Sequence, residues 1–76
     1  MFGERLNTTR KNKGYTALQM ADWLSVSLST YRKYESGRRT PYIDTLTAIA
    51  NILDASTDYL LGRDDFLKSH GVSFGE

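Results

Sequence analysis

The sequence predicts an all-α fold, a compact domain of five short helices. Three observations support this. Apolar residues recur at spacings of three and four along the chain. Cap residues and glycines punctuate these runs at the places where helices start and stop. No window sustains the apolar–polar alternation of a half-buried strand. The 76 residues suffice for one small domain. A core of this size supplies only about 3–5 kcal/mol, so the boundary signals carry weight beside it.

The first helix is expected from Phe2 to Lys13, with Phe2, Leu6 and Thr9 on its inner face. Gly14 ends it, because glycine adopts the left-handed conformation at a helix terminus without steric cost. Thr16 starts the second helix as N-cap, and Gln19, three residues on, completes a capping box. Met20, Ala21 and Leu24 form its buried stripe, and Ser25-Val26-Ser27 is the turn that follows. Ser27 caps a third helix, Leu28 to Ser36, with Tyr31 and Tyr34 inward, Arg32 and Lys33 outward, and Gly37 as its stop. Thr40-Pro41 is expected as a cap with proline at the first helical position, where a missing N–H is harmless. The fourth helix then carries Ile43, Leu46, Ile49, Ala50 and Leu53 on one apolar stripe. Thr57 is expected to cap a fifth helix holding Tyr59, Leu60 and Leu61, ended by Gly62. Residues 1–62 are expected to form the domain. Residues 63–76 read as a loosely ordered tail, with one helical turn near Asp65 to Lys68.

Composition narrows the function classes. The absence of cysteine removes disulfides, thiolate zinc sites and cysteine nucleophiles. His70 is the single histidine and falls in the tail, so no catalytic triad or histidine metal cluster can assemble, and no enzyme, cofactor or metal is expected. Asp64 and Asp65 read as capping or solvated acids. No apolar run is long enough to span a bilayer, and the N-terminus lacks a signal-peptide pattern. A cytoplasmic location is therefore expected, with no membrane partner.

The net charge of +1 hides a division. Residues 1–41 hold eight cations (Arg5, Arg10, Lys11, Lys13, Arg32, Lys33, Arg38, Arg39) against three acids, giving +5; residues 42–76 give −4. Such asymmetry suits a first half that faces a polyanion. Four of the eight, Arg32, Lys33, Arg38 and Arg39, fall in Thr16 to Pro41, read as two short helices joined by a tight turn. The second carries Arg32 and Lys33 and is followed by Gly37-Arg38-Arg39. That arrangement suits a helix entering the DNA major groove while nearby cations hold phosphates.

At this point the chain resembles the helix-turn-helix family of phage repressors and Cro proteins, with its Xre-type bacterial relatives. The resemblance covers about residues 5–62. It rests on Arg5-Leu6, Gly14-Tyr15-Thr16, Met20-Ala21, Leu24, Val26-Ser27, Tyr34-Glu35 with Gly37, Thr40-Pro41, Thr45-Leu46, Ile49-Ala50 and Asp58-Tyr59-Leu60-Leu61-Gly62. No one of these is diagnostic, but the ordered series is highly specific.

The resemblance implies a sequence-specific transcriptional regulator, most simply a repressor that binds double-stranded DNA. It places Leu28, Ser29, Arg32 and Lys33 where the family contacts bases. Arg32 and Lys33 suit guanine O6 and N7, Ser29 discriminates weakly, and Leu28 suits a thymine methyl. Phosphate contacts are expected from the start of the second helix at Thr16 and Ala17, from the Ser27 hydroxyl, and from Ser36, Arg38, Arg39 and Thr40 after the third helix. The family commonly pairs an arginine of the first helix with an acid of the third, which implies a partly buried Arg10–Glu35 pair. Relatives dimerise near the end of the domain, here Ala55 to Leu61, which implies a homodimer on an inverted repeat.

Three departures stand out. Relatives usually carry a phosphate-contacting glutamine where Ala17 stands. Glycine often occupies the position of Ser25, whose backbone is therefore expected to be strained by about 1 kcal/mol. Leu18 and Trp23 fall at positions the family fills with polar residues, so Trp23 is either a partly buried aromatic or a partner contact. Ala17 and the apolar Leu18, Trp23 and Leu28 support one alternative, a protein-interaction module that retains the fold, and an antitoxin that binds DNA and a protein partner together is a further one.

Overall fold

The computed structural model describes residues 2–62, and the expected tail lies outside them. Among the described residues the elements are α1 (Phe2–Lys13), α2 (Ala17–Leu24), α3 (Leu28–Ser36), α4 (Ile43–Leu53) and α5 (Thr57–Leu61). All five helices send side chains to one core. Leu6 comes from α1, Met20 and Ala21 from α2, Tyr31 and Tyr34 from α3, Ile49, Ala50 and Leu53 from α4, and Leu60 from α5. Phe2, Leu24 and Val26 are half-buried and pack on its margin.

Helix α1 lies against α3 and α5, while α2 packs on α3 and α4. Helices α1 and α3 approach closely at Gly3, buried in the first turn of α1. A β-carbon there would meet the last turn of α3. Composition gave no hint of this role.

Local capping fixes the geometry of the two central helices. The Thr16 hydroxyl accepts from the Gln19 amide at 3.1 Å, and the Gln19 side chain accepts from the Thr16 amide at 2.8 Å. At the other end of α2, Ser25 turns left-handed (φ 58°), and the Val26 amide donates back to the Ala21 carbonyl. The Ser27 side chain then caps α3 by accepting from the Thr30 amide at 3.0 Å. Gly37 closes α3 at φ 79°, with the Arg38 amide donating to the Lys33 carbonyl. The turn and both helix ends are thereby tied down, which sets the angle between α2 and α3.

Two boundaries differ from the expectation. Helix α4 begins at Ile43, not Pro41: its N-cap is Tyr42, which makes no side-chain capping bond. Pro41 instead lies buried ahead of the helix, and proline disfavours helical backbone in the residue before it. Ile43, the first helical residue, is 77% exposed although it keeps the apolar spacing, and the buried residues of the inner face are Leu46, Ile49, Ala50 and Leu53. The cap of α5 is Ser56, whose hydroxyl accepts from the Tyr59 amide at 3.0 Å, so Thr57 is the first helical residue.

Candidate nucleic-acid interface

Helix α3 has two opposed faces. Tyr31 and Tyr34 are buried behind it, their rings edge-to-face with centroids 6.4 Å apart. Ser29, Arg32, Lys33 and Ser36 are exposed on the other side, with Leu28 half-buried at the helix start. These five residues and Arg38 line an open concavity of about 500 Å³. The four residues expected to contact bases are thus gathered on one surface, with Arg38 at its edge.

What holds α3 in place is a polar cluster behind its exposed face. The Glu35 carboxylate receives Arg10 Nε at 2.7 Å and Arg10 Nη2 at 3.2 Å. It also receives the Asn7 amide at 2.7 Å and the Tyr31 hydroxyl. A third guanidinium nitrogen, Arg10 Nη1, donates to the Tyr15 carbonyl at 2.8 Å, so the same side chain braces the turn before α2. Burial by itself would raise the Glu35 carboxyl, but the hydrogen bonds from Arg10, Tyr31 and Asn7 outweigh it and hold the group below its ordinary range. Tyr31 moves far up, chiefly through burial and then through its bond to Glu35. Arg10 is raised further by its hydrogen bond to Glu35. Every partner is therefore locked in the form that bonds.

The Arg10–Glu35 contact follows the expected pairing; Asn7 and the Tyr31 hydroxyl are additions to it. A signal for both was available. Asn7 and Arg10 are three apart on α1, and Tyr31 and Glu35 four apart on α3, the spacings that share a helix face. Arg5 is a further addition: Nη1 donates to the Tyr59 carbonyl at 2.7 Å, and its guanidinium lies 4.6 Å from that residue's ring centroid. It fastens α5 to α1.

The residues expected at phosphates divide into two groups. Arg38, Arg39 and Thr40 are exposed in the segment after α3, and the backbone bonds of both arginine amides to Lys33 fix its path. The others are already engaged. The Thr16 amide and hydroxyl are committed to Gln19, which leaves the Ala17 and Leu18 amides as the outward donors of the first turn. The Ala17 side chain packs against the core, so only its backbone faces out. Ser27 caps α3 and also donates to the Thr30 hydroxyl, and Ser36 donates to the Lys33 carbonyl at 3.2 Å.

A family profile described as a helix-turn-helix domain matches residues 3–65. The chain belongs to the helix-turn-helix family of phage repressors and their Xre-type relatives. Among its relatives, the prophage-derived HTH-type transcriptional regulator YonR of Bacillus subtilis is 51% identical over 61 residues, covering 80% of this chain and 56% of that protein. The cryptic phage CTXphi transcriptional repressor RstR of Vibrio cholerae is 47% identical over 60 residues, covering 79% and 54%. The chain spans about half the length of the curated relatives it matches. Among solved helix-turn-helix structures, the biofilm regulator SinR in complex with DNA superposes with a TM-score of 0.73 at 34% identity, covering 80% of this chain and 98% of that one. SinR also has a solved complex with SinI, which superposes at 0.72. None of the helices among the described residues is long and apolar enough to cross a membrane.

Proposed function

We propose that this chain is a sequence-specific DNA-binding transcriptional regulator, a repressor that engages an inverted-repeat operator as a homodimer. One observation carries the reading. Arg32, Lys33 and Ser29 stand in solvent on a helix whose opposite face is immobilised by two buried tyrosines and the Glu35 cluster. In the major groove, Arg32 forms a bidentate contact with guanine, Lys33 donates to a neighbouring guanine or phosphate, and Ser29 and Leu28 meet the adjacent bases. Arg38, Arg39 and Thr40 hold the backbone on one side, and the Ala17 and Leu18 amides receive a phosphate on the other, with Thr16, Ser27 and Ser36 ordering those donors.

One recognition helix spans only a few base pairs, so a second copy supplies the remaining specificity. Half-site centres would then lie about 34 Å apart. Tyr59 and Leu61, each 38% exposed at the end of the domain, are the contacts proposed for the dimer. The relatives that are regulators and repressors, and the SinR complex with DNA, support the assignment.

The test is selection of bound duplexes from a random library, followed by a salt titration. A regulator of this kind enriches a palindrome and loses about 10³-fold affinity or more between 50 and 200 mM salt. Failure to enrich any sequence would favour the second reading, a module or antitoxin that docks on protein. Trp23 and Leu18, 49% and 55% exposed on α2, are the residues that support it.

A further inference from the structure

Trp23 is 49% exposed, but its ring is engaged. It stands edge-to-face with Tyr15, the centroids 4.9 Å apart and the planes at 85°, a geometry favourable beyond the area it buries. The two residues lie at opposite ends of α2. Helical side chains lean toward the N-terminus, so a large ring in the last turn reaches back along the helix. Tyr15 is where the turn before α2 is tied down. Its side chain packs on the margin of the core, its amide donates to the Arg10 carbonyl at 3.2 Å, and its carbonyl accepts from Arg10 Nη1 at 2.8 Å. Thr16 follows directly, in extended backbone (φ −89°, ψ 160°) and boxed with Gln19. Gln19 lies four residues before Trp23, on the same face of α2.

We infer that Trp23 is a positioning residue for DNA binding: by covering Tyr15 it fixes the turn that aims the Ala17 and Leu18 amides at a phosphate. This inference rests on the proposed DNA-binding role and on phosphate contact by those amides, and it adds a residue that acts through another. The need for such a residue follows from the donors. A lysine on its flexible stem can follow a phosphate, whereas a backbone amide points where its turn points. The Ala17 side chain packs against the core, so it cannot supplement the two amides from outside. Their contact is therefore only as good as the order of the turn before binding. Arg10 holds the Tyr15 backbone, and Trp23 holds its ring.

The experiment is a double-mutant cycle on DNA binding. Duplexes are selected from a random library with the whole chain, and the enriched duplex is titrated against wild type, Trp23→Ala, Ala17→Pro and the double variant. Ala17→Pro deletes one amide donor with little other change. Proline is tolerated at the first helical position, and Thr16 already has the extended backbone that precedes a proline. Each single variant is expected to weaken binding about tenfold per protomer, the size of one hydrogen bond to a charged group. Joined, they fall well short of the roughly hundredfold loss that independent effects would give. Trp23→Phe, which keeps an aromatic ring, binds as wild type does. A full hundredfold loss in the double variant overturns the inference, because Trp23 then acts on something other than those amides. A Trp23→Ala variant that binds as wild type, with or without a lower urea midpoint, also overturns it and leaves DNA binding intact. An Ala17→Pro variant that binds as wild type removes the phosphate contact, and the inference falls with it. Failure to enrich any duplex overturns the DNA-binding role and this inference together.

Discussion

A β-carbon added to Gly3 would stand 2.3 Å from the Glu35 carbonyl oxygen, so α1 and the end of α3 meet at a distance that only glycine permits. Two effects oppose each other in Gly3→Ala. Intrinsic propensity favours alanine in a helix by about 1 kcal/mol. The clash, however, is with backbone rather than the end of a flexible side chain, and overpacking of this sort costs about 1–3 kcal/mol. The expected outcome is a net loss of stability, read as a lower urea midpoint. A raised midpoint would mean that the helices separate easily.

The Glu35 cluster predicts both a mutational and a pH effect. Removing the charge in Glu35→Gln leaves the Arg10 guanidinium, 12% exposed, without its anion. The expected loss is about 3 kcal/mol, a large part of what so small a core supplies. Because the carboxyl is held below its ordinary range in the folded state, its contribution is complete above the unfolded value of about 4.3 and is lost as pH falls through the folded one. Tyr31 works in the opposite sense. Its raised folded value gives a contribution complete below about 10, lost at higher pH as the unfolded phenol ionises. Denaturation of wild type and Glu35→Gln from pH 3 to 7 should converge at the acid end. Parallel curves would show that the cluster does not titrate with folding.

Ser25 and Asp54 are non-glycine residues in the left-handed region, at φ 58° and 52°. That conformation costs an ordinary L-residue about 1–2 kcal/mol, whereas glycine pays mainly in unfolded-state entropy, about 0.5–1 kcal/mol. Ser25→Gly should therefore stabilise the domain by up to about 1 kcal/mol. Asp54→Gly should gain less, since aspartate tolerates this region better. Thermal melts of the two variants check the order.

What the sequence made legible was local. Gly14, Gly37 and Gly62 marked helix ends, and the Thr16–Gln19 box is a four-residue pattern visible without a fold. The inward tyrosines and outward cations of α3 follow from a period of 3.6 applied to nine residues. The illegible features were contacts between distant segments. Gly3 carries no side chain to form a pattern, so its role appears only where α3 crosses it. Arg5 reaches a residue 54 positions away. Ile43 kept the apolar spacing of its helix yet is exposed, because periodicity states which face a residue occupies and not whether anything covers it. Ser56 and Thr57 are chemically equivalent caps, and only the position of the Tyr59 amide separates them. In the candidate interface, the cation positions and the Ser27 cap were plain, but the Ser27 bond to the Thr30 hydroxyl and the commitment of Ser36 to the Lys33 carbonyl were not.

The two groups of exposed cations should separate in binding experiments. Arg32 projects from the middle of α3, where a bidentate contact discriminates guanine from other bases by about 1–3 kcal/mol. Arg32→Ala should therefore relax sequence preference at one position of each half-site. Arg38 and Arg39 lie past the helix end, on backbone anchored to the Lys33 carbonyl, and in the proposed mode of binding they meet phosphates rather than base edges. Replacing both with alanine should weaken binding to every duplex alike and lower the slope of log K against log salt by about 2 per protomer. The measurement is a matrix of three proteins, several operator variants and a salt series. A change of base preference in the Arg38/Arg39 variant would place that loop in a groove. An unchanged preference in Arg32→Ala would remove the central contact from the proposed mode of reading.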